Sequence, residues 1–158
     1  MAGHVPKKTM IDIGPTEVGK STFCNVIAGR DPMDNSIFPV SDSGESCTNK
    51  TSSIEIEWGG SGGLPVLLID TPGLSDSSED DFKNISGMLK ELEKHSEIHV
   101  FVLTVNGTQL SFSKYFKDMI LIFGISCKVR SLHFTIQMST RALYFIWIVL
   151  QAPMFDNL

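Results

Sequence analysis

The stretch Gly14-Pro15-Thr16-Glu17-Val18-Gly19-Lys20-Ser21, followed by Thr22, decides the fold. It fits the phosphate-binding loop pattern G-x-x-x-x-G-K-[ST] at every fixed position. An apolar run, Thr9 to Ile13, precedes the loop, and a segment with apolar residues at helical spacing, Ser21 to Ala28, follows it. Because this is the strand, loop and helix context that the pattern requires, the sequence predicts a nucleotide site.

The chemistry of phosphate binding explains the residue types in the loop. Backbone N–H groups must wrap a polyphosphate closely, so Gly14 and Gly19 stand where a side chain would obstruct. We predict that Lys20 reaches the β- and γ-phosphates and that Ser21 offers its hydroxyl to Mg²⁺, with the positive end of the helix directed at the anion. The predicted contact set also includes the other loop members: Pro15, Thr16, Glu17, Val18 and Thr22.

Glu17 stands where such loops usually carry a small residue. Its carboxylate near phosphate charge would cost on the order of 1 kcal/mol of binding energy, unless the side chain points to solvent. Reduced nucleotide affinity and an outward-facing side chain with little effect both remain open at this point.

A second motif, Asp70-Thr71-Pro72-Gly73, follows the apolar run Leu64 to Ile69. An Asp at the carboxyl end of a strand can hold Mg²⁺ through water, and the N–H of Gly73 can sense the γ-phosphate. Leu74 comes next, and its side chain cannot orient water, so we expect slow hydrolysis or hydrolysis that depends on another group.

A switch GTPase also needs a hydroxyl between the two motifs to close on the metal. Thr48 is favoured because it leaves several residues before the next strand, whereas Ser46 and Thr51 stay open as alternatives. The predicted Mg²⁺ ligands are therefore Ser21, Thr48 and Asp70.

Composition limits the class of protein. At 158 residues, with 42% hydrophobic and 20% charged residues, the chain is expected to form one globular domain. A net charge of -5 argues against nucleic acid as a partner. The 3 cysteines are odd in number and lack C-x-x-C spacing, which favours reduced thiols and a cytoplasmic protein.

Periodicity predicts the other elements. Thr51 to Trp58 alternates as a half-buried strand with Ile54, Ile56 and Trp58 inward, and a Gly/Ser turn should pair it antiparallel with the strand Leu64 to Ile69. The segments Phe82 to His95 and Ser111 to Gly124 read as helices, and Ile98 to Val105 as a parallel strand. Arg30 to Lys50 reads as a long mobile loop. The fold class is an α/β P-loop NTPase fold of three layers, a mostly parallel sheet with one antiparallel strand and helices on both faces.

Several segments together resemble the AIG-type guanine nucleotide-binding family, whose animal members are called GIMAP and which is related to septins. They are the loop 14–21, Ser46-Cys47-Thr48, Ile69 to Leu74, and His99 to Val105 followed by a helix ending Ile122-Phe123-Gly124. The resemblance covers roughly residues 8–125. It implies GTP and GDP binding with Mg²⁺, slow hydrolysis, and nucleotide-dependent homo- or hetero-association. It also assigns the phosphate and metal contacts to Lys20 and Ser21, the switch threonine to Thr48, and the second switch to Asp70 and Gly73.

The C-terminus departs from that family. No guanine-reading segment of the type [NT]-K-x-D follows Gly124. Residues 1–124 are therefore interpreted as the N-terminal part of the domain, and 125–158 as an atypical tail. The C-terminal part of the domain would then be incomplete, as in a truncated or altered member of the family. The tail contains nine consecutive apolar residues, Ala142 to Leu150, too few for the roughly 20 that a membrane span needs. A substitute core strand, a peripheral membrane contact and an altered reading frame are the three interpretations. Two rival functions stay open: a P-loop ATPase, and a non-enzymatic interaction fragment with weak nucleotide binding.

Overall fold

The computed structural model describes residues 5–40, 48, 50–74, 78–95, 97–106, 133–138, 143–149 and 152–153. Two helices and eight strands lie in these ranges. The helices are α1 (Lys20–Ile27) and α2 (Ser78–Leu92). The strands are β1 (Lys8–Ile13), β2 (Ser52–Trp58), β3 (Leu64–Asp70), β4 (Glu97–Ile98), β5 (Val100–Asn106), β6 (His133–Met138), β7 (Leu143–Val149) and β8 (Ala152–Pro153).

Six strands form one sheet in the order β2-β3-β1-β5-β7-β6. The central strand β1 pairs in parallel with β3 and with β5, as predicted for buried apolar strands. The hairpin partner β2 runs antiparallel to β3, which confirms the prediction made from the Gly/Ser turn. The structure adds a second strand of opposite direction, because β7 runs antiparallel to both β5 and β6.

Successive residues of the central strands point to opposite faces, so each face carries its own apolar layer. Residues of α1 pack against one face together with Phe38, and residues of α2 pack against the other. The α1 layer contains Met10, Phe23, Cys24, Phe38, Val66, Leu68 and Val102. The α2 layer contains Ile11, Ile13, Leu67, Ile69, Leu74, Met88, Leu92, Ile98, Phe101, Leu103 and Val105. The three-layer α/β fold is therefore confirmed.

Some local predictions need correction. Trp58 is 39% exposed rather than inward, since it ends the edge strand β2. The apolar segment Ile98 to Val105 is divided at His99, whose Nδ1 accepts a hydrogen bond from the backbone N–H of Thr9 at 3.0 Å. The apolar run of the tail supplies β7, which extends the sheet. The helix predicted over 111–124 lies outside the described residues.

Within the ranges that the structure describes, neither helix has the length and apolar character needed to cross a bilayer.

Candidate nucleotide-binding site

The phosphate loop joins β1 to α1 at the carboxyl end of the central strand. Gly19 adopts a left-handed conformation, with φ 93°, at the start of α1. Gly14 lies against β5, where a Cβ would overlap the backbone carbonyl oxygen of Thr104. Both glycines therefore stand where the sequence predicts that a side chain would be excluded. Val18 is buried beneath the loop, and Thr22 is half-buried on α1.

Glu17 is the described non-glycine residue with a positive φ, at 64°. Its side chain is exposed. The outward-facing interpretation is therefore favoured over a carboxylate directed at the phosphates.

Lys20 is turned into the site rather than toward solvent, with only 6% of its surface exposed. Its Nζ donates a hydrogen bond to the carbonyl oxygen of Pro15 at 2.7 Å, which folds the side chain back along the loop. Burial lowers the pKa of Lys20, and the carboxylates of Asp12 and Asp70 act in the opposite direction. A partly desolvated ammonium interacts strongly with an anion, as a phosphate ligand requires.

Three side-chain oxygens from three parts of the chain meet at the start of α1. Ser21 Oγ donates to Asp70 Oδ2 at 2.7 Å and lies 3.0 Å from Thr48 Oγ1. The other oxygen of Asp70, Oδ1, is buried and has no hydrogen-bond partner. Burial raises the pKa of Asp70, while Ser21 and Lys20 lower it. Hydroxyl and carboxylate oxygens are the ligands that Mg²⁺ prefers, so this donor set fits the ion.

The structure also bears on the choice of switch hydroxyl. Thr48 is brought to Ser21, whereas Thr51 Oγ1 is buried without a hydrogen-bond partner. Ser46 lies outside the described residues. Thr48 is thus the candidate that the structure places in the site.

The segment after β3 lies directly on the phosphate loop. A Cβ on Gly73 would overlap the backbone of Thr16. The N–H of Leu74 donates to the carbonyl oxygen of Gly14 at 3.2 Å, and the N–H of Thr16 donates to the carbonyl oxygen of Leu74 at 3.3 Å. Pro15 and Leu74 form a parallel bridge. The two motifs that the sequence predicts to act together are therefore in contact.

A buried polar pair behind the loop was missed by the sequence analysis. Asp12 on β1 is fully buried, and its Oδ1 accepts a hydrogen bond from Thr104 Oγ1 at 2.7 Å, while Oδ2 has no partner. Burial raises the pKa of Asp12 well above its ordinary value, and Thr104 and Lys20 oppose this. A second hydroxyl, that of Thr71, donates to the carbonyl oxygen of Asp12 at 2.7 Å. The signal in the sequence was a carboxylate between two isoleucines, Ile11 and Ile13, of the predicted strand.

Asn25 on α1 was also missed, although it fixes part of the long loop. Its Nδ2 donates to the carbonyl oxygens of Asp34 at 2.7 Å and Phe38 at 3.0 Å. Phe38 is itself fully buried, and Arg30 forms an ion pair with Asp34. Residues 30–40 carry no helix or strand, as predicted, but these contacts attach them to the α1 face. The prediction of a mobile loop is therefore wrong for this part.

Comparison with known families agrees with this geometry. A family model described as 50S ribosome-binding GTPase matches residues 9–126, more than half of the 158 residues. The chain belongs to the 50S ribosome-binding GTPase family. GTP and GDP binding are what membership of this family implies, and it favours guanine nucleotides over the rival ATPase interpretation. The AIG-type resemblance is a finer assignment and stays a prediction. A search of curated proteins gives no match.

Solved structures show a similar fold. One is a dimerisation-deficient variant of Toc33 from Arabidopsis thaliana, with a TM-score of 0.57 and 18% identity. A second concerns the chloroplast translocon components atToc33 and psToc159, for which dimerisation is described as important for GTPase activity, with a TM-score of 0.58 and 18% identity. Each comparison covers 75% of this chain and 44% of the other chain. The chain thus spans less than half the length of these neighbours, and the likeness at this identity is one of fold.

Proposed function

We propose that this chain is a GTP-binding switch with slow or partner-dependent hydrolysis, and that it belongs to the AIG (GIMAP) type within the P-loop GTPases. The observation that carries the proposal is the meeting of Ser21, Thr48 and Asp70 oxygens beside the buried Lys20. These groups come from the phosphate loop, the long loop and the end of β3.

In this proposal Ser21, Thr48 and Asp70 hold Mg²⁺, directly or through water. The bound ion supplies positive charge next to the β- and γ-phosphates. Lys20 binds the same phosphates, and the N–H groups of the loop and of the first turn of α1 surround them.

A conformational switch is possible because the groups around the γ-phosphate belong to separate segments of the chain. Thr48 and Gly73 lie on two different segments, and each would contact the γ-phosphate side of the nucleotide. Loss of the γ-phosphate removes a shared anchor, so both segments can leave the site.

Slow hydrolysis is supported by the position of Leu74. Its side chain is 6% exposed and packs in the α2 layer with Met88 and Leu92. An apolar side chain directed into the core cannot orient an attacking water. The missing group would come from elsewhere in the chain or from a partner.

Association, location and domain limits complete the proposal. We place the protein in the cytoplasm. We also propose nucleotide-dependent homo- or hetero-association, which the dimerisation named for the Toc neighbours supports. Residues 1–124 would form the N-terminal part of the AIG-type GTPase domain and 125–158 the atypical tail. In the tail, β7 pairs with β5 along one edge and with β6 along the other. This favours a substitute core strand over a peripheral membrane contact for the tail.

The metal site gives the first test. Affinity for fluorescent GTP is measured in Mg²⁺ and in EDTA, for the wild type, Asp70→Asn and the surface control Asp31→Asn, whose side chain is exposed. Wild type and control should bind more tightly in Mg²⁺, whereas Asp70→Asn should lose most of that difference. An equal Mg²⁺ effect in Asp70→Asn would contradict the assignment.

A further inference from the structure

A single peptide group joins α2 to the phosphate loop. The carbonyl oxygen of Gly73 accepts a hydrogen bond from Asn84 Nδ2 on α2 at 3.1 Å. The N–H of the same peptide group belongs to Leu74 and donates to the carbonyl oxygen of Gly14 at 3.2 Å. Because a peptide group is planar, holding it at both ends fixes its orientation.

This hydrogen bond restrains Gly73, a residue that has no side chain to limit its own backbone angles. Gly73 has no Cβ, since Thr16 leaves no room for one, and a glycine can adopt backbone angles closed to other residues. Leu74 on the far side is anchored by its buried side chain. The Asn84 hydrogen bond and the Leu74 N–H bond together limit the ψ angle of Gly73, and so hold Gly73 in place against the loop.

The surrounding geometry is that of a closed site. Thr48 Oγ1 lies 3.0 Å from Ser21 Oγ, and Gly73 lies so close to Thr16 of the loop that a Cβ would overlap it. The Asn84 contact is made in this arrangement. It thus stabilises the closed position of Gly73 rather than an open one.

We propose that Asn84 is a positioning residue that holds Gly73 ready to meet the γ-phosphate, and that it thereby sets the preference of this site for GTP over GDP. The inference rests on the proposed function. A diphosphate has no group at that place, so the hydrogen bond from Asn84 should affect GTP binding and leave GDP binding unchanged.

The expected effect is that of one neutral hydrogen bond. Its loss should lower the affinity for GTP by about 2- to 10-fold. Asn84→Asp should have at least this effect, because a carboxylate oxygen would face the carbonyl oxygen of Gly73. Asn84→Ala keeps good helix propensity, so α2 should still form.

The experiment measures the affinity of the full chain for a non-hydrolysable GTP analogue and for GDP, both in Mg²⁺. The variants are Asn84→Ala and Asn84→Asp, with Ser86→Ala as the control on the same helix, since Ser86 is exposed. We expect both Asn84 variants to lose affinity for the GTP analogue and to keep their GDP affinity, while the control keeps both.

Three results would overturn the inference: equal losses for both nucleotides, no loss for either, or failure of Asn84→Ala to fold, which would show a role in the core instead. Each of these leaves the proposed function standing if the wild type binds. A wild type that binds neither nucleotide would instead reject the proposed function itself.

Discussion

Replacement of Glu17 separates two effects on the phosphate loop, backbone strain and charge. Glu17 has φ 64° within the phosphate loop, a conformation that costs a residue with a Cβ about 1–2 kcal/mol. Glycine removes this strain but loses about 0.5–1 kcal/mol through its greater freedom in the unfolded chain. Glu17→Gly should therefore raise the free energy of unfolding by about 0.5–1 kcal/mol, which corresponds to roughly 1–4 °C in Tm for a chain of this size.

The charge of Glu17 should matter less than its backbone. Two like charges 4 Å apart in water repel by about 1 kcal/mol, equivalent to about fivefold in affinity. The Glu17 side chain is exposed, so it can turn away from the phosphates and is screened by salt. Glu17→Gln should therefore change the affinity for GTP by less than about twofold.

The assay combines thermal unfolding with GTP titration for Glu17→Gly, Glu17→Gln and Glu17→Ala, the last of which removes the carboxylate and keeps the strain. We expect the Gly variant alone to be more stable than the wild type. A Gly variant no more stable than the Ala variant would refute the strain argument. A Gln variant that binds GTP fivefold more tightly would show that the carboxylate does oppose the phosphates.

Other substitutions test the packing around the site. Gly14→Ala should lower the free energy of unfolding by about 1–3 kcal/mol, because the added Cβ overlaps the Thr104 carbonyl. Gly87→Ala on α2 has open space, so it should raise the free energy of unfolding by up to about 1 kcal/mol. Equal effects of the two variants in urea unfolding would contradict this reasoning. Asp12→Asn should stabilise the chain by about 1–2 kcal/mol at pH 7, because it removes the cost of burying a charge while Oδ1 can still accept the hydrogen bond from Thr104. Burial raises the pKa of Asp12 in the folded chain, so its penalty appears as pH rises above about 4, and the gain should vanish below that pH; a gain that persists there would refute the cause. Phe38→Ala should cost about 3–5 kcal/mol in urea unfolding, and a loss under about 1 kcal/mol would show that residues 30–40 are not anchored to the core.

Local patterns were sufficient to predict the elements that position the site. Phosphate binding requires the residue types of the loop 14–21, a period-2 pattern identifies β2, and a continuous apolar run identifies β3. Asp70 could be placed at the end of β3 because polar residues that follow apolar strands collect at one edge of a parallel sheet. These predictions need only neighbours in sequence.

The contacts that the sequence did not predict join side chains to residues outside their own helix or strand. Thr104 reaches Asp12 across 92 positions, and Asn84 reaches Gly73 from the next helix. The side chain of an Asn or Thr pairs according to what the fold brings near it, so its own position carries no such information. β7 was ambiguous for a related reason, since a short continuous apolar run fits a buried strand and several other environments.

The central claim is that Lys20 and its loop bind a guanine nucleotide. The most direct measurement is binding of labelled GTP to the full chain in Mg²⁺, with ATP as competitor and Lys20→Ala as the comparison. We predict binding that excess GTP displaces, that ATP does not, and that Lys20→Ala largely abolishes. A folded wild type that binds no GTP, or that releases GTP equally to ATP, would contradict the account.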